Sequence, residues 1–183
     1  MAIDSPELLT YIGVIDNTPL DFHSGKLADY TKAQADKSLE KLKAAQKGLT
    51  KYGPEGLDGQ ELLSWKITHW FFDDLLASAE IEYSSYPVNQ LSGPTVDLPQ
   101  FLTDAHAIKN EKSIERYISR VTEFARVLDE VHVRVDEYRA NGVVAPDFII
   151  EKVLVGLRSF IEGGAAENPV SYTHLTLPTI CSV

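Results

Sequence analysis

The chain has 183 residues, which is about the length of one domain. It carries 17 basic and 27 acidic side chains, and the resulting formal net charge of −10 argues against a protein that binds nucleic acid through clustered Lys and Arg. A hydrophobic fraction of 44% excludes a disordered chain, and no apolar run reaches the roughly 18 residues of a membrane span.

The first part of the sequence has the apolar periodicity of amphipathic helices, with apolar residues three to four positions apart. Ser5 and Pro6 are typical of the start of a helix, and this first helix is predicted to be short. A second helix is predicted over residues 24–52, with lysines around its polar face.

A third helix is predicted to begin at Asp58, because Asp58 and Glu61 have the spacing of a capping box. It extends to about residue 85 in this prediction. Its large apolar side chains fall on more than one face, so we expect it to be buried on several sides.

The second part of the sequence also predicts helices. Asp97 is expected to cap a short helix, and residues 111–141 carry an apolar stripe that predicts the longest helix. Residues 131–135 alternate as a strand does, but they lie inside this stripe and are interpreted as helix. Pro146 opens a last helix over residues 148–161. The predicted fold class is therefore all-α, built from long amphipathic helices.

The residues themselves predict no catalytic or metal site. A zinc site needs three or four converging ligands, often with His-Glu-x-x-His on one helix, and neither His69 nor His132 stands in this spacing. Both are interpreted as structural histidines. The nucleophile motif Gly-x-Ser-x-Gly and the phosphate-binding glycine loop are also missing from the sequence.

The loop over residues 86–94 combines amide side chains with glycine and proline, which suits it to hold a peptide backbone. Asn89 and Gln90 can each donate and accept hydrogen bonds. Two interpretations stay open: these amides bind a ligand, or they satisfy the backbone groups of their own loop.

The end of the sequence is predicted to be foreign to the protein. Residues 170–179 resemble the translation of a transposase-type sequencing adapter, and the chain ends where that design places a stop codon. We therefore expect a truncated N-terminal helical region over residues 1–169 and a non-biological, adapter-derived tail over residues 170–183. The single cysteine, Cys181, falls in this tail, which we expect to pack against nothing specific.

Five motifs follow one another in the chain: Ser-Pro-Glu-Leu-Leu-Thr-Tyr-Ile-Gly from Ser5, Pro-Val-Asn-Gln-Leu-Ser-Gly from Pro87, Asp-Leu-Pro-Gln-Phe-Leu from Asp97, Tyr-Ile-Ser-Arg from Tyr117 and Gly-Val-Val-Ala-Pro from Gly142. In this order they resemble the N-terminal half of the bacterial domain of unknown function 885 family. The resemblance covers roughly residues 5–161.

The resemblance implies the N-terminal part of a larger helical, zincin-like protein related to metallopeptidases. It implies a His-Glu zinc-binding helix several hundred residues further along the parent chain, so the parent takes zinc and a peptide-like substrate. No catalytic residue and no metal ligand is carried over to this chain. The residues that match the family in the loop are Asn89, Gln90, Ser92 and Gly93, and we predict that they contribute to binding.

We therefore expect an N-terminal helical region of a zinc-dependent peptidase-like protein, without its catalytic centre. Its expected partner is the missing C-terminal half of its own chain, with no nucleic acid and no membrane span. The apolar last helix favours this interpretation over the alternative, a stand-alone acidic helical binding or scaffold module. No signal peptide is visible, and the compartment stays open.

Overall fold

The computed structural model describes residues 4–16, 18–81, 83 and 85–162. These residues form six α-helices and no β-strand, which confirms the all-α prediction. Within this part of the chain, no helix is both long enough and apolar enough to cross a membrane. The helices are α1 (Pro6–Ile12), α2 (Lys32–Leu49), α3 (Gly59–Glu80), α4 (Pro94–Asp104), α5 (Glu111–Ala140) and α6 (Asp147–Glu162).

The chain divides into two compact units. The first unit contains the described residues between 31 and 85 and includes α2 and α3. The second unit contains the described residues of 4–30 together with residues 86–162, and it includes α1, α4, α5 and α6. The second unit is therefore discontinuous in sequence.

In the first unit, α2 and α3 lie against each other. Leu42 is the one hydrophobic side chain that is buried among the described residues of this unit, and α3 buries none. The prediction that α3 is buried on several sides was wrong, because α2 covers only part of its surface. The most exposed large side chains of α3 keep between 49% and 66% of their surface: Leu63, Ile67, Trp70 and Phe71.

The start of α3 is confirmed, but its capping box is not. Asp58 stands at the N-cap position with no side-chain capping hydrogen bond, and α3 ends at Glu80 rather than near residue 85. Nearby, the indole N–H of Trp65 donates to the Tyr52 carbonyl at 2.8 Å.

The core of the second unit forms where α4, α5 and the segment of residues 23–30 meet. Burial of these apolar groups supplies the main favourable free energy of this unit. The buried side chains of the core are Leu27, Leu98, Phe101, Leu102, Val127 and Val131.

The longest helix, α5, has 30 residues and spans about 45 Å. It begins with a capping box: the Asn110 side chain accepts from the Ser113 N–H, and the Ser113 hydroxyl accepts from the Asn110 N–H, both at 2.9 Å. It ends before Gly142, which has a left-handed φ of 76°. The helix includes residues 131–135, so the helical interpretation of that stretch is confirmed.

The prediction of a helix over residues 24–52 was wrong at its start, because α2 begins only at Lys32. Side chains of α5 bind the backbone of residues 23–30, which precede α2. These hydrogen bonds take the place of those that a helix would form. Arg120 Nε donates to the Lys26 carbonyl at 3.0 Å, and the Tyr30 N–H donates to Glu130 at 2.8 Å. These partners lie about a hundred positions away in the sequence, so local periodicity carries no signal of them.

Arg120 is fully buried at the centre of this arrangement. Burial lowers the pKa of its guanidinium to about 10, so the group stays charged at neutral pH. Besides the Lys26 carbonyl, it donates to Thr10 Oγ1 and to His106 Nδ1, both at 2.7 Å. Its guanidinium carbon lies 4.7 Å from the centre of the Phe101 ring. One side chain therefore joins α1, α4, α5 and the segment of residues 23–30.

The bond to Arg120 also fixes the protonation of His106. A guanidinium only donates hydrogen bonds, so Nδ1 of His106 must accept. Its Nε2 then carries the proton and donates to the Ser113 carbonyl at 2.9 Å. His106 is a neutral, fully engaged imidazole that connects the end of α4 to the start of α5.

Replacing Arg120 with Met is expected to destabilise the second unit by about 3 kcal/mol or more, because the buried acceptors around it lose their donor. Amide hydrogen exchange over residues 23–30 and 113–120 measures this loss directly. Arg158→Met, at an exposed position of α6, is the matched control and is expected to change the free energy of unfolding by less than about 0.5 kcal/mol. Equal protection in the two variants would contradict the structural role of Arg120.

The two units are expected to differ in local stability, because the first buries little apolar surface. Amides of residues 35–49 and 62–80 should exchange faster with solvent than those of residues 117–138. Both tryptophans, Trp65 and Trp70, lie in the first unit, so tryptophan fluorescence in urea follows that unit alone. Slower exchange in the first unit than in α5 would show that this inference from burial is wrong.

Candidate functional site

The loop before α4 is closed by the side chain of Asn89. Its Oδ1 accepts from the N–H groups of Leu91 and Ser92 at 2.8 and 2.9 Å, and its Nδ2 donates to the Ser92 hydroxyl at 2.8 Å. The Asn89 N–H also donates to the Ser92 carbonyl at 3.2 Å. Asn89 and Ser92 thus form their hydrogen bonds with groups of their own loop. This agrees with the second of the two interpretations that the sequence leaves open.

Gly93 is required by the path of the chain. Its φ of 107° is left-handed, and a Cβ at this position would lie 2.9 Å from the Pro87 carbonyl oxygen. Gly93 is the N-cap residue of α4, and its N–H donates to the Asp97 carboxylate at 2.9 Å. Asp97 therefore lies in the first turn of α4 and reaches back, whereas the sequence had placed it before the helix.

Gln90 differs from its neighbours in the loop. Its Oε1 is buried and has no hydrogen-bond partner among the described residues. Gln90 lines a cavity of about 250 Å³, together with Asn89, residues of α4 and residues of α6. Of the four loop residues predicted to contribute to binding, Asn89 and Gln90 reach this cavity, while Ser92 and Gly93 shape the loop behind it.

The wall of the cavity on the α4 side has a second buried polar atom without a partner in the described protein, Thr95 Oγ1. Thr95 is the second residue of α4. Pro99, also in the wall, has no N–H to donate to the Thr95 carbonyl four residues earlier.

The wall on the α6 side is largely apolar, with one cation. Gly156 leaves space, because a Cβ at this position would meet nothing within 4 Å. Lys152 is exposed and makes no ion pair with a described residue. The remaining α6 residues of the wall are half-buried: Val153, Leu157 and Phe160.

This set of side chains is suited to binding rather than to bond cleavage. The lining combines polar residues, Asn89, Gln90, Thr95 and Lys152, with apolar side chains, as small-molecule and peptide sites do. No pair of a nucleophile and a general base stands among these lining residues, all of which the structure describes.

A second polar cluster surrounds His23, which is fully buried. Its Nε2 lies 2.7 Å from Asp16 Oδ1, and its Nδ1 lies 3.3 Å from Asp21 Oδ1. Asp21 also forms an ion pair with Arg116. The adjacent cavity measures only about 10 Å³, which is close to the space of one water molecule. This cluster is an internal polar network around one ion pair, Asp21–Arg116, and its cavity has no room for a substrate.

Zinc, which the family resemblance implies for the parent protein, does not fit the residues of this structure. In the part of the chain that is described, no group of three or more His, Cys, Asp or Glu side chains could hold a metal ion. The two ring nitrogens of His106 are both engaged, His69 stacks against Trp65 with ring centres 4.0 Å apart, and His132 contacts Asp136 at the surface.

Sequence reasoning found Asn89 and Gln90 but missed Thr95, Lys152 and Gly156. The amide and glycine content of the loop was a local signal. The other three residues belong to helices whose faces meet the loop only in the folded chain. For Thr95, the sequence holds one local signal, which is Pro99. A proline inside a helix has no N–H to donate to the carbonyl four residues before it.

Comparison with known proteins identifies one family. The family described as "Bacterial protein of unknown function (DUF885)" matches residues 6–178. No curated protein and no solved structure matches the chain. The match includes residues 170–178 of the segment that we interpret as an adapter-derived tail. That interpretation stays a prediction, because residues 163–183 lie outside the described part of the chain.

Gly93→Ala is expected to destabilise the second unit by at least about 1 kcal/mol, because an alanine strains the left-handed backbone and its Cβ meets the Pro87 carbonyl. Gly156→Ala is the matched control. It adds the same methyl group to a helix with open space around it, so it should stabilise by about 0.5–1 kcal/mol. Urea unfolding monitored by circular dichroism measures both changes. Equal effects of the two variants would contradict the close approach at Gly93.

Proposed function

The chain belongs to this bacterial DUF885 family, and from that premise we propose that it is the N-terminal helical region of a zinc-dependent peptidase-like protein. In this proposal the parent protein carries its zinc centre further along the chain. The observation that carries the proposal is the cavity, because one of its walls is built from the motif segments at residues 87–102 on which the family resemblance rests.

The contribution of this region is to bind and to position a peptide-like substrate. The described residues do not fit zinc, so no hydrolytic step is assigned to them. When bound by the parent, zinc supplies a Lewis acid and an activated water for amide hydrolysis. Gln90 and Thr95 supply polar groups in a largely apolar cavity, which is the composition of a site that orients a ligand.

The exposed face of α6 supports a partner for this region. No residue of α6 is fully buried, although the helix is rich in large apolar side chains. We take the C-terminal part of the parent chain as the partner, since the resemblance implies a much longer protein. The apolar side chains that stay at least 45% exposed are Phe148, Leu154, Val155 and Ile161.

The proposal predicts a clear difference between this chain and the product of the longer gene. The 183-residue chain should bind zinc no more tightly than an exposed histidine does, and it should hydrolyse no peptide. A longer product should contain a His- and Glu-bearing helix, hydrolyse peptides and lose this activity when a chelator removes zinc. Calorimetric zinc titration and a fluorogenic peptide assay measure these properties.

Two results would contradict the proposal. One is stoichiometric, tight zinc binding by the 183-residue chain. The other is a complete gene that encodes no such helix, and that outcome would favour the stand-alone acidic binding module. Phe148→Ser on the exposed face of α6 is a useful control, because it should reduce the binding of an apolar dye and leave zinc binding unchanged.

A further inference from the structure

The side of α3 that lies opposite its half-buried residues carries an apolar stripe. At 3.6 residues per turn, the positions of this stripe fall within about 100° around the helix axis. Half-buried side chains such as Trp65 and Phe72 lie on the other side of the helix. We call the stripe the outer face of α3, and its members are Leu63, Ile67, Trp70 and Phe71.

The outer face is large for a surface that meets only water. Trp70 keeps 66% of its surface exposed and Phe71 keeps 52%. An aromatic side chain buries about 150–250 Å² when it is covered, so these two rings alone offer roughly 200–300 Å². By contrast, Trp65 of the same helix donates its indole N–H to the Tyr52 carbonyl and stacks on His69. Exposed apolar patches of this size are typical of surfaces that associate with another protein.

The charges beside the outer face differ between its two halves. Lys66 and Asp73 are exposed and seven positions apart, so they lie almost in line along one edge of the face. Asp74, also exposed, belongs to the same half of the helix as Asp73. Gln46 of α2 donates to Asp73 Oδ1 at 2.5 Å, and the carboxylate keeps acceptor sites for a second donor. The first half of the face therefore carries a cation, and the second half carries carboxylates.

This distribution makes the outer face complementary to itself when two copies run antiparallel. A two-fold axis through the midpoint of α3 places Lys66 of one copy level with Asp73 of the other, and the reverse. The same axis brings the two Trp70 rings together and places Ile67 beside Phe71 of the other copy. A parallel pairing in register would instead set each charge against its own kind, which weakens association.

We propose that the outer face of α3 binds the same face of a second copy of this chain, with the two helices antiparallel about a two-fold axis. Apolar contacts of Trp70, Ile67 and Phe71 supply the affinity, and the ion pairs between Lys66 and Asp73 fix the direction of the helices. The exposed face of α6 belongs to the other unit and is a separate surface. This proposal therefore does not depend on the proposed function.

The first test is sedimentation equilibrium of the full 183-residue chain at concentrations from about 5 to about 500 μM. The four apolar side chains offer less than the roughly 800 Å² per partner of a standard interface, so a reversible dimer with a Kd on the order of 10–100 μM is expected. Trp70→Ala removes the central ring and should weaken the dimer at least about tenfold. At the lowest concentration its Tm should stay within about 2 °C of the parent chain, because the ring is exposed. Phe148→Ser, on the exposed face of α6, is the matched control and should leave the Kd unchanged.

The second test exchanges the charges at the edge of the face. Lys66→Asp should weaken the dimer at least about tenfold and Asp73→Lys about threefold, because each sets like charges against each other at both ion pairs. Mixed together, the two variants should form a heterodimer with about the affinity of the parent chain, because one copy now carries two carboxylates at this edge and the other two ammonium groups. Lys51→Asp, at an exposed position after α2, makes the same charge change away from the outer face and should leave the Kd unchanged.

The proposal is overturned if the chain stays monomeric up to about 500 μM, or if Phe148→Ser rather than Trp70→Ala abolishes the association. It is also overturned if the mixture of Lys66→Asp and Asp73→Lys associates no more strongly than either variant alone. A nonspecific apolar aggregate would give that result, because it has no fixed register in which opposite charges meet.

Discussion

The guanidinium of Arg120 is the interaction on which the second unit depends, because it is a buried cation that serves acceptors from three separate stretches of chain. Its fixed fork of N–H groups reaches the Lys26 carbonyl, the Thr10 hydroxyl and the His106 ring in different directions. A lysine ammonium could not reproduce this geometry. The Phe101 ring against the guanidinium then places α4, and with α4 one wall of the cavity.

The second unit treats its buried polar groups in two opposite ways. Around Arg120 and at the Asn110–Ser113 capping box, donors and acceptors are paired with each other. In the cavity wall, Gln90 and Thr95 keep buried polar atoms that the described protein does not pair. The first pattern fixes a fold, since each of these side chains has its partner within the chain.

The parts of the fold that local chemistry decides could be predicted from the sequence. Pro6, Asn110 and Gly142 mark helix ends in the structure as they do in the sequence, because caps and stops act within a few residues. The path of residues 23–30 could not be predicted, because most of its backbone partners are side chains of α5, among them Arg120, Arg126 and Glu130. The exposure of α3 also escaped prediction, since composition shows how apolar a helix is and not how many neighbours cover it.

In the candidate site, too, only the locally determined features could be predicted from the sequence. The loop drew notice through its amides, but Asn89 and Gln90 have the same functional group and opposite surroundings. Asn89 is short enough to bond the backbone two and three residues later, which is a local motif. Gln90 lines a cavity only because α6, which begins at Asp147, forms the other side of it.

The discontinuity of the second unit has a consequence for synthesis on the ribosome. The bonds from Arg120 join groups that are 94 and 110 positions apart, so the segment of residues 23–30 cannot reach its native contacts with α5 until α5 has been translated. At about 5–20 residues per second, that interval is on the order of ten seconds. Residues 31–85 are made within it and can pair α2 with α3 at once. The N-terminal segment, with Leu27 and its unpaired backbone, waits in an unfolded state that chaperones and proteases can bind.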